Sequence, residues 1–202
     1  MMDAVQLQKT LRASQYAEQV LANHQDLLNQ DYAIDQFQGS LGTEQIQDLI
    51  YSNLLNISDE TMWMRSLRIL RARLMFRWIW QDANQLTNVI TLTRELSDFA
   101  DACICAAKEF ARIPLVSKYG HPIGYNGKVQ DLIIIAMGKL GAQELNLSSD
   151  IDLIFAFDEQ GETDGRKCID VQQFCILWGQ KLIYLLDHIT AEGLVLRVEM
   201  RR

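Results

Sequence analysis

The sequence predicts an α+β protein, a helical first part followed by a smaller part in which strands surround at least one long helix. Before residue 114 the only glycines or prolines are Gly39 and Gly42, whereas the 89 residues from there on hold both prolines and the other nine glycines. Gly and Pro punctuate elements rather than fill them, so helices joined by short turns should give way to shorter elements after that point. The first part also carries apolar residues at helical spacing, and the second carries unbroken β-rich apolar runs. At 202 residues and 49% hydrophobic the chain has the composition of an ordinary globular protein with a real core.

In the helical part, residues 4–29 are rich in Gln, Ala and Leu and predict one helix ending near Asn29, Gln30 and Asp31. The many glutamines read as a solvated helical surface rather than a docking face. A short helix should follow Thr43, whose hydroxyl can serve as its N-cap. The strongest helix begins after Ser58, with Asp59 and Glu60 in a first turn where negative charge suits the helix dipole. At 100° per residue, Trp63, Leu67, Leu70, Leu74 and Trp78 lie within about 80° of one another and form a core-facing stripe. Arg65, Arg68, Arg71, Arg73 and Arg77 fall outside it, and the expected role is an outer face that pairs with carboxylates elsewhere. A further helix, Leu86 to Phe110, carries Leu92, Leu96, Phe99 and Cys103 at helical spacing and should stop before Pro114.

Residues 117–128, with Pro122 and three glycines, read as a hairpin or loop. Leu132–Met137 is a continuous apolar run typical of a strand buried on both faces. It ends at Gly138-Lys139-Leu140-Gly141, after which a short helix over Ala142 to Asn146 is expected. A second strand, Asp150 to Phe157, opens with two carboxylates. After a loop holding Gly161 and Gly165, a helix is expected from Val171 to Asp187, and a third strand from Leu194 to Met200. Its alternation would put Val195, Arg197 and Glu199 on one face.

Charge and composition exclude several classes. The balance of 19 Lys and Arg against 26 Asp and Glu, net −7, is opposite to that of a nucleic-acid coat. No apolar run exceeds six residues, far below the roughly 20 of a membrane span. The N-terminus has no basic start followed by an apolar stretch, so the chain is expected to be cytoplasmic. Cys103, Cys105, Cys168 and Cys175 show no C-x-x-C spacing and are expected to be ordinary core thiols.

The chemistry concentrates at the second strand. Asp150 and Asp152, two apart in a strand, would point the same way about 7 Å apart and repel by roughly 2–3 kcal/mol at an effective dielectric near 20. Such a pair needs a cation. Lys or Arg could supply it, and so could Mg²⁺, a hard ion that takes carboxylate oxygens and leaves positions for phosphate. Glu199 on a later strand is a candidate third donor, and the Gly138 turn would offer backbone N–H groups to an anion. Other motifs fail on detail. A P-loop requires Ser or Thr after Gly-Lys, where this chain has Leu140, and an EF-hand requires Asp or Asn and then Gly where it has Ile154 and Phe155. Strand, Gly turn, short helix, Ser-Ser-Asp-x-Asp and strand together point to a nucleotidyl-transfer site.

Three segments carry a family resemblance. Met137–Phe155 (MGKLGAQELNLSSDIDLIF) resembles the signature of the bacterial glutamine synthetase adenylyltransferase family. Leu67–Asp82 (LRILRARLMFRWIWQD) resembles its Arg-rich helix, and Arg197–Arg201 (RVEMR) its Arg-Val-Asp-Met-Arg strand. The resemblance covers roughly residues 60–202. It implies a helical region, residues 1–113, ahead of a polymerase-β-type nucleotidyltransferase domain, residues 114–202, with a small mixed sheet and incomplete at its C-terminus. The family carries two such domains. One transfers AMP from ATP to a tyrosine of glutamine synthetase, and the N-terminal one removes it with inorganic phosphate, giving ADP. Asn146-Leu147 and the Arg-rich helix look more like the removing copy. Residue by residue, the resemblance implies a two-metal Mg²⁺ site on Asp150, Asp152 and Glu199. It further implies a phosphate and nucleotide site on Gly138, Lys139, Gly141 and Ser149, with Arg197 and Arg201 steadying anionic substrates. Glu199 departs from the family's Asp by one methylene, and where the family continues with Leu-Arg-Pro this chain ends at Arg202, which reads as a fragment. Glutamine synthetase is the implied partner, with a PII-type signalling protein as a second, and neither nucleic acid nor membrane. The alternatives are the transferring direction, a silent piece that only binds those partners through its helical part, and a small-molecule nucleotidyltransferase.

Overall fold

A computed structural model describes residues 4–24 and 39–200 of the chain. The fold is α+β, seven helices and two small sheets among the described residues. Two compact units divide the chain. The first runs to Phe99 and takes in Glu144–Leu147, and the second comprises Ala100–Gln143 and the residues from Ser148 on.

In the first unit the expected helix over residues 4–29 is two helices, α1 (Ala4–Ala13) and α2 (Gln15–Asn23). The break is Ser14, held extended at φ −149° and ψ 115°, whose hydroxyl accepts from Ala17 N–H at 3.3 Å. A serine side chain that satisfies an orphan N–H of a new helix competes with continuation of the old one. The expected end near residues 29–31 lies outside the described residues. The helix α3 (Thr43–Leu54) is capped by Gly42 rather than Thr43. Gln45 Oε1 accepts from Gly42 N–H at 2.9 Å, while the Thr43 hydroxyl donates to Asp98 at 2.9 Å.

The helix α4 (Glu60–Ala83) starts at Asp59, whose carboxylate accepts from Met62 N–H at 2.9 Å. Its expected stripe is buried in full, from Trp63 at 3% exposure to Trp78 at 0%. Yet α1, α2 and α3 all pack on this helix, so burial goes round it and takes in 14 of its 24 residues. That corrects the reading of the arginines as an outer face. Arg65 is exposed, Arg71 and Arg73 are half-buried, and Arg68 and Arg77 are buried. Arg71 donates to the Tyr16 hydroxyl at 3.0 Å and lies over its ring, which ties α2 to α4. Arg77 Nη1 pairs with Glu95 at 2.8 Å. The same carboxylate accepts from Trp78 Nε1 at 2.7 Å and from Leu41 N–H at 2.9 Å. Arg77 Nη2 and Gln81 Nε2 both donate to Gly39 O, at 2.7 and 2.6 Å. Leu147 and Leu11 pack against the core of Ala17, Val20, Phe76 and Trp80.

The helix α5 (Val89–Tyr119) opens on Asn88, whose side chain accepts from Thr91 N–H at 2.9 Å. It runs through Pro114 instead of stopping before it. Proline forfeits one helical hydrogen bond and costs about 3 kcal/mol, but its fixed φ is itself helical. Anchors on both sides hold the segment. Ala107 and Ala111 are fully buried, and Tyr119 O accepts from Gly165 N–H at 3.0 Å. The stop is Gly120, at φ +82° with its N–H on Val116 O at 2.8 Å, a position that a side chain would strain.

In the second unit, β1 (Pro122–Gly124) pairs antiparallel with β4 (Gly161–Thr163). A mixed three-stranded sheet has the order β2 (Ile133–Met137), β3 (Ile151–Ala156), β5 (Val198–Met200), with β2 antiparallel and β5 parallel to β3. The helix α7 (Val171–Asp187) has the expected bounds. A Cβ on its Gly179 would lie 2.5 Å from the Phe155 ring, so only glycine lets helix and strand approach this closely. Phe174, Trp178, Leu182 and Leu185 of the same helix are buried, and Trp178 Nε1 donates to Lys108 O at 2.8 Å.

Two strand expectations are corrected. Strand β2 is covered on one face only, with Ile133, Ile135 and Met137 exposed by 44%, 45% and 37%. An all-apolar run hides its own alternation, and β2 lies at the edge of its sheet. Strand β5 is three residues long because Val195 and Leu196 both donate backbone N–H groups to Leu186 O, at 2.9 and 3.2 Å, and both are buried. The thiols are likewise mixed, since Cys103 and Cys175 are buried but Cys105 and Cys168 are exposed.

Candidate functional site

The open face of the mixed sheet gathers four of the predicted site residues, Asp150, Asp152, Arg197 and Glu199. Register sets it. Met137 stands opposite Asp152 and Ile135 opposite Ile154, while Asp152 stands beside Glu199 and Ile151 beside Val198. Because side chains alternate, the face that exposes Ile133, Ile135 and Met137 also carries Asp152 and Glu199. The opposite face carries the fully buried Leu153 and, with Phe155, meets Gly179. Neighbouring strands lie about 4.8 Å apart, so the two carboxylates are held side by side on one half-open surface.

Asp150 lies one residue before β3, and Arg197 one residue before β5, which places them next in the same register. Their side chains form an ion pair at 3.4 Å between Arg197 Nη1 and Asp150 Oδ1. The backbone joins there as well, with Ile151 N–H donating to Arg197 O at 2.9 Å.

The turn between β2 and β3 begins with a helical turn, α6 (Gly138–Gly141), in place of the helix expected over Ala142 to Asn146. Gln143 sits at φ +59°, which ends it, and Gln143 Nε2 donates to Asp101 at 3.1 Å. Both glycines are required by close approach. Gly138 has φ +58°, and a Cβ there would lie 2.9 Å from Asp152 Oδ2; a Cβ on Gly141 would lie 2.5 Å from Ala136 O. The glycine turn is therefore pressed against the carboxylate. Lys139 Nζ donates to Ser149 Oγ at 3.3 Å, an ammonium and a hydroxyl facing one spot from either end of the turn. Replacing Gly138 by alanine is expected to cost about 1–2 kcal/mol for the left-handed backbone and to displace the Asp152 carboxylate. Urea denaturation measures the first effect, and a weaker response to divalent cations the second.

The structure thus brings Asp150 to Arg197, Asp152 to Glu199 and Gly138, and Lys139 to Ser149. Arg201 lies outside the described residues. Among the described residues no three of His, Cys, Asp and Glu converge closely enough to hold one metal ion, Asp150 being turned onto Arg197. The donor set still suits a hard divalent cation. Asp152 and Glu199 are adjacent carboxylates, partly open to water, with a third carboxylate one exchange of partner away. Thiol chemistry does not fit, since burial, with Asp131 adding, pushes Cys175 up to about 11.

The apolar floor formed by Ile135 and Ile154 beside Asp152 escaped the sequence reading, for the unbroken Ile run gives no sign of which side is open. Among the described residues no helix is long and apolar enough to cross a membrane.

Comparison with known proteins gives concordant matches. The model of the glutamate-ammonia ligase adenylyltransferase family matches residues 4–202. A bifunctional glutamine synthetase adenylyltransferase/adenylyl-removing enzyme of Acinetobacter baylyi is 74% identical over 200 residues, 99% of this chain and 22% of the relative. Proteins of the same name from Thioalkalivibrio sulfidiphilus and Shewanella oneidensis are 48% and 38% identical over 71% and 97% of the chain, and 15% and 20% of their own lengths. The chain spans about a fifth of the length of the Acinetobacter and Shewanella relatives.

Proposed function

Because the chain belongs to the glutamate-ammonia ligase adenylyltransferase family, we propose that it carries a nucleotidyl-transfer site of the polymerase-β type on the open face of the β2-β3-β5 sheet. The reaction we assign to it is removal of AMP from the adenylylated tyrosine of glutamine synthetase by inorganic phosphate. The observation that supports this most is the Asp152 and Glu199 pair standing in register beside a glycine turn. The resemblance of Asn146-Leu147 and of the Arg-rich helix to the removing copy favours this direction over transfer from ATP. The corresponding domain reading is a helical region over residues 1–113 and a nucleotidyltransferase domain from residue 114.

In this reaction a phosphate oxygen attacks the phosphorus of AMP in line. The bond to the tyrosine oxygen breaks, and ADP and the free phenol leave. Phosphoryl transfer needs little covalent work from the protein, mainly positioning and neutralisation of charge. Asp150, Asp152 and Glu199 would hold Mg²⁺, which neutralises charge on the phosphoryl oxygens. Lys139 and Ser149 converge on one spot at 3.3 Å and both can donate to a phosphate. Gly138 keeps a side chain off the Asp152 carboxylate, Gly141 lets the turn close against β2, and Arg197 supplies a planar donor fork for an anion. Arg201 completes the anion-binding set.

The test is to incubate the chain with Mg²⁺, phosphate and adenylylated glutamine synthetase, and separately with ATP and the unmodified enzyme. Release of ADP in the first mixture, lost in Asp150→Asn and Asp152→Asn, supports the assignment. AMP incorporation in the second alone reverses the direction, and absence of both reactions overturns the proposal.

A further inference from the structure

We propose that Arg197 is an exchangeable counter-ion. It pairs with Asp150 while the carboxylate row lacks a divalent cation, and turns to substrate phosphate oxygens once a cation claims Asp150. Cation binding and anion binding at the site then reinforce each other. The proposal rests on the nucleotidyl-transfer reading of the same face.

The ladder dictates the arrangement. Parallel register puts Ile151 beside Val198, and Ile151 N–H bonds Arg197 O at 2.9 Å, so the backbones of both strand entrances are fixed. Alternation then sets Asp150 with Asp152, and Arg197 with Glu199, in two short rows on the open face. Across the strands the nearer pair is of opposite sign and the next is of like sign. Three carboxylates against one guanidinium leave an excess of negative charge, which favours uptake of a divalent cation.

The pair itself is built for exchange rather than for stability. It is a single contact at 3.4 Å, without the paired fork of a strong Arg–carboxylate bond, and the Arg197 side chain is 64% exposed. The buried Arg77–Glu95 pair in the same chain, at 2.8 Å and 5% and 3% exposed, shows what a permanent ion pair looks like here. A divalent cation at the row attracts the Asp150 oxygens more strongly than a solvated guanidinium does, and repels the guanidinium as well. Arg197, fixed only through its backbone, can then swing its donor fork to phosphate oxygens arriving at the same face. By linkage, whatever factor the cation adds to anion affinity, the anion adds to cation affinity.

The experiment measures Mn²⁺ binding by electron paramagnetic resonance and ADP binding by calorimetry, each with and without the other. It uses the unsubstituted chain, Arg197→Gln, Arg197→Lys and Asp152→Asn. Arg197→Gln should bind Mn²⁺ alone about threefold more tightly, having lost the competing cation. The gain in ADP affinity conferred by Mn²⁺ should fall about tenfold, within the usual range of ligand coupling. Arg197→Lys should restore part of that gain. Unchanged or weaker Mn²⁺ binding in Arg197→Gln, or an undiminished gain, overturns the proposal. If Asp152→Asn binds Mn²⁺ like the unsubstituted chain, the site reading fails and the proposal with it. If Asp152→Asn loses Mn²⁺ while Arg197→Gln behaves as unsubstituted, the proposal alone fails.

Discussion

Glu95→Ala is expected to destabilise the first unit by about 3–5 kcal/mol, among the largest effects a single change in this chain can have. One carboxylate there answers three donors, Arg77 Nη1, Trp78 Nε1 and Leu41 N–H, all within 2.9 Å. Its removal leaves a guanidinium that is buried and without its counter-charge, together with two unsatisfied N–H groups. It also frees the stretch from Gly39 to Leu41, which is tied to α4 and α5 through Gly39 O and Leu41 N–H. Three of the four tryptophans, Trp63, Trp78 and Trp80, lie on α4, so urea unfolding followed by tryptophan fluorescence reports mainly on this unit. The double change Arg77→Met with Glu95→Leu should recover only the part of the loss that comes from the uncompensated buried charge, because Trp78 Nε1 and Leu41 N–H still lack their acceptor. A Glu95→Ala loss below about 1 kcal/mol would contradict the assignment of this network as the anchor of the segment.

The second large effect concerns chemistry rather than stability. Asp152→Asn should leave folding nearly unchanged, because the side chain is only half-buried on the open face, yet lower ADP release about a thousandfold. That factor corresponds to roughly 4 kcal/mol, the order supplied when a cation held by carboxylates neutralises a transferring phosphoryl group. Glu199→Gln should fall comparably. Glu199→Asp, the residue that the family resemblance implies at this position, should retain activity within about tenfold, because the carboxylate is kept and only its reach changes. Measuring kcat and the KM for phosphate separately distinguishes lost transition-state stabilisation from weaker binding. A variant Asp152→Asn with more than a tenth of the starting rate would exclude this carboxylate from the reaction.

Much of the fold was legible in the sequence, and particular residues show why the remainder was not. The bounds of α7 and the buried stripe of α4 could be read directly, since both depend on apolar periodicity over several turns. Ser14 was missed because a lone serine in a Gln- and Ala-rich stretch does not reveal whether it faces solvent or caps a new helix. Pro114 misled in the other direction, as anchors at Ala111 and Gly120 outweigh the one hydrogen bond it forfeits. Burial of Arg68 and Arg77 depends on three helices packing round α4, which a one-dimensional stripe does not encode. At the candidate site, the sequence singles out Asp152 and Glu199 but not the face that they share. Asp152 and Glu199 are 47 positions apart in sequence, and only the β3–β5 register sets them side by side. The 3.4 Å pairing of Asp150 with Arg197 is likewise a product of register.

The most direct test is a crystal of this chain grown with Mn²⁺ and ADP and analysed by anomalous scattering. The expected result is a manganese peak on the open face against the carboxylates of Asp150, Asp152 and Glu199, with the nucleotide phosphates beside Lys139 and Ser149 and Arg197 no longer on Asp150. An ordered crystal with manganese and nucleotide bound elsewhere, or with neither on that face, would contradict the nucleotidyl-transfer site.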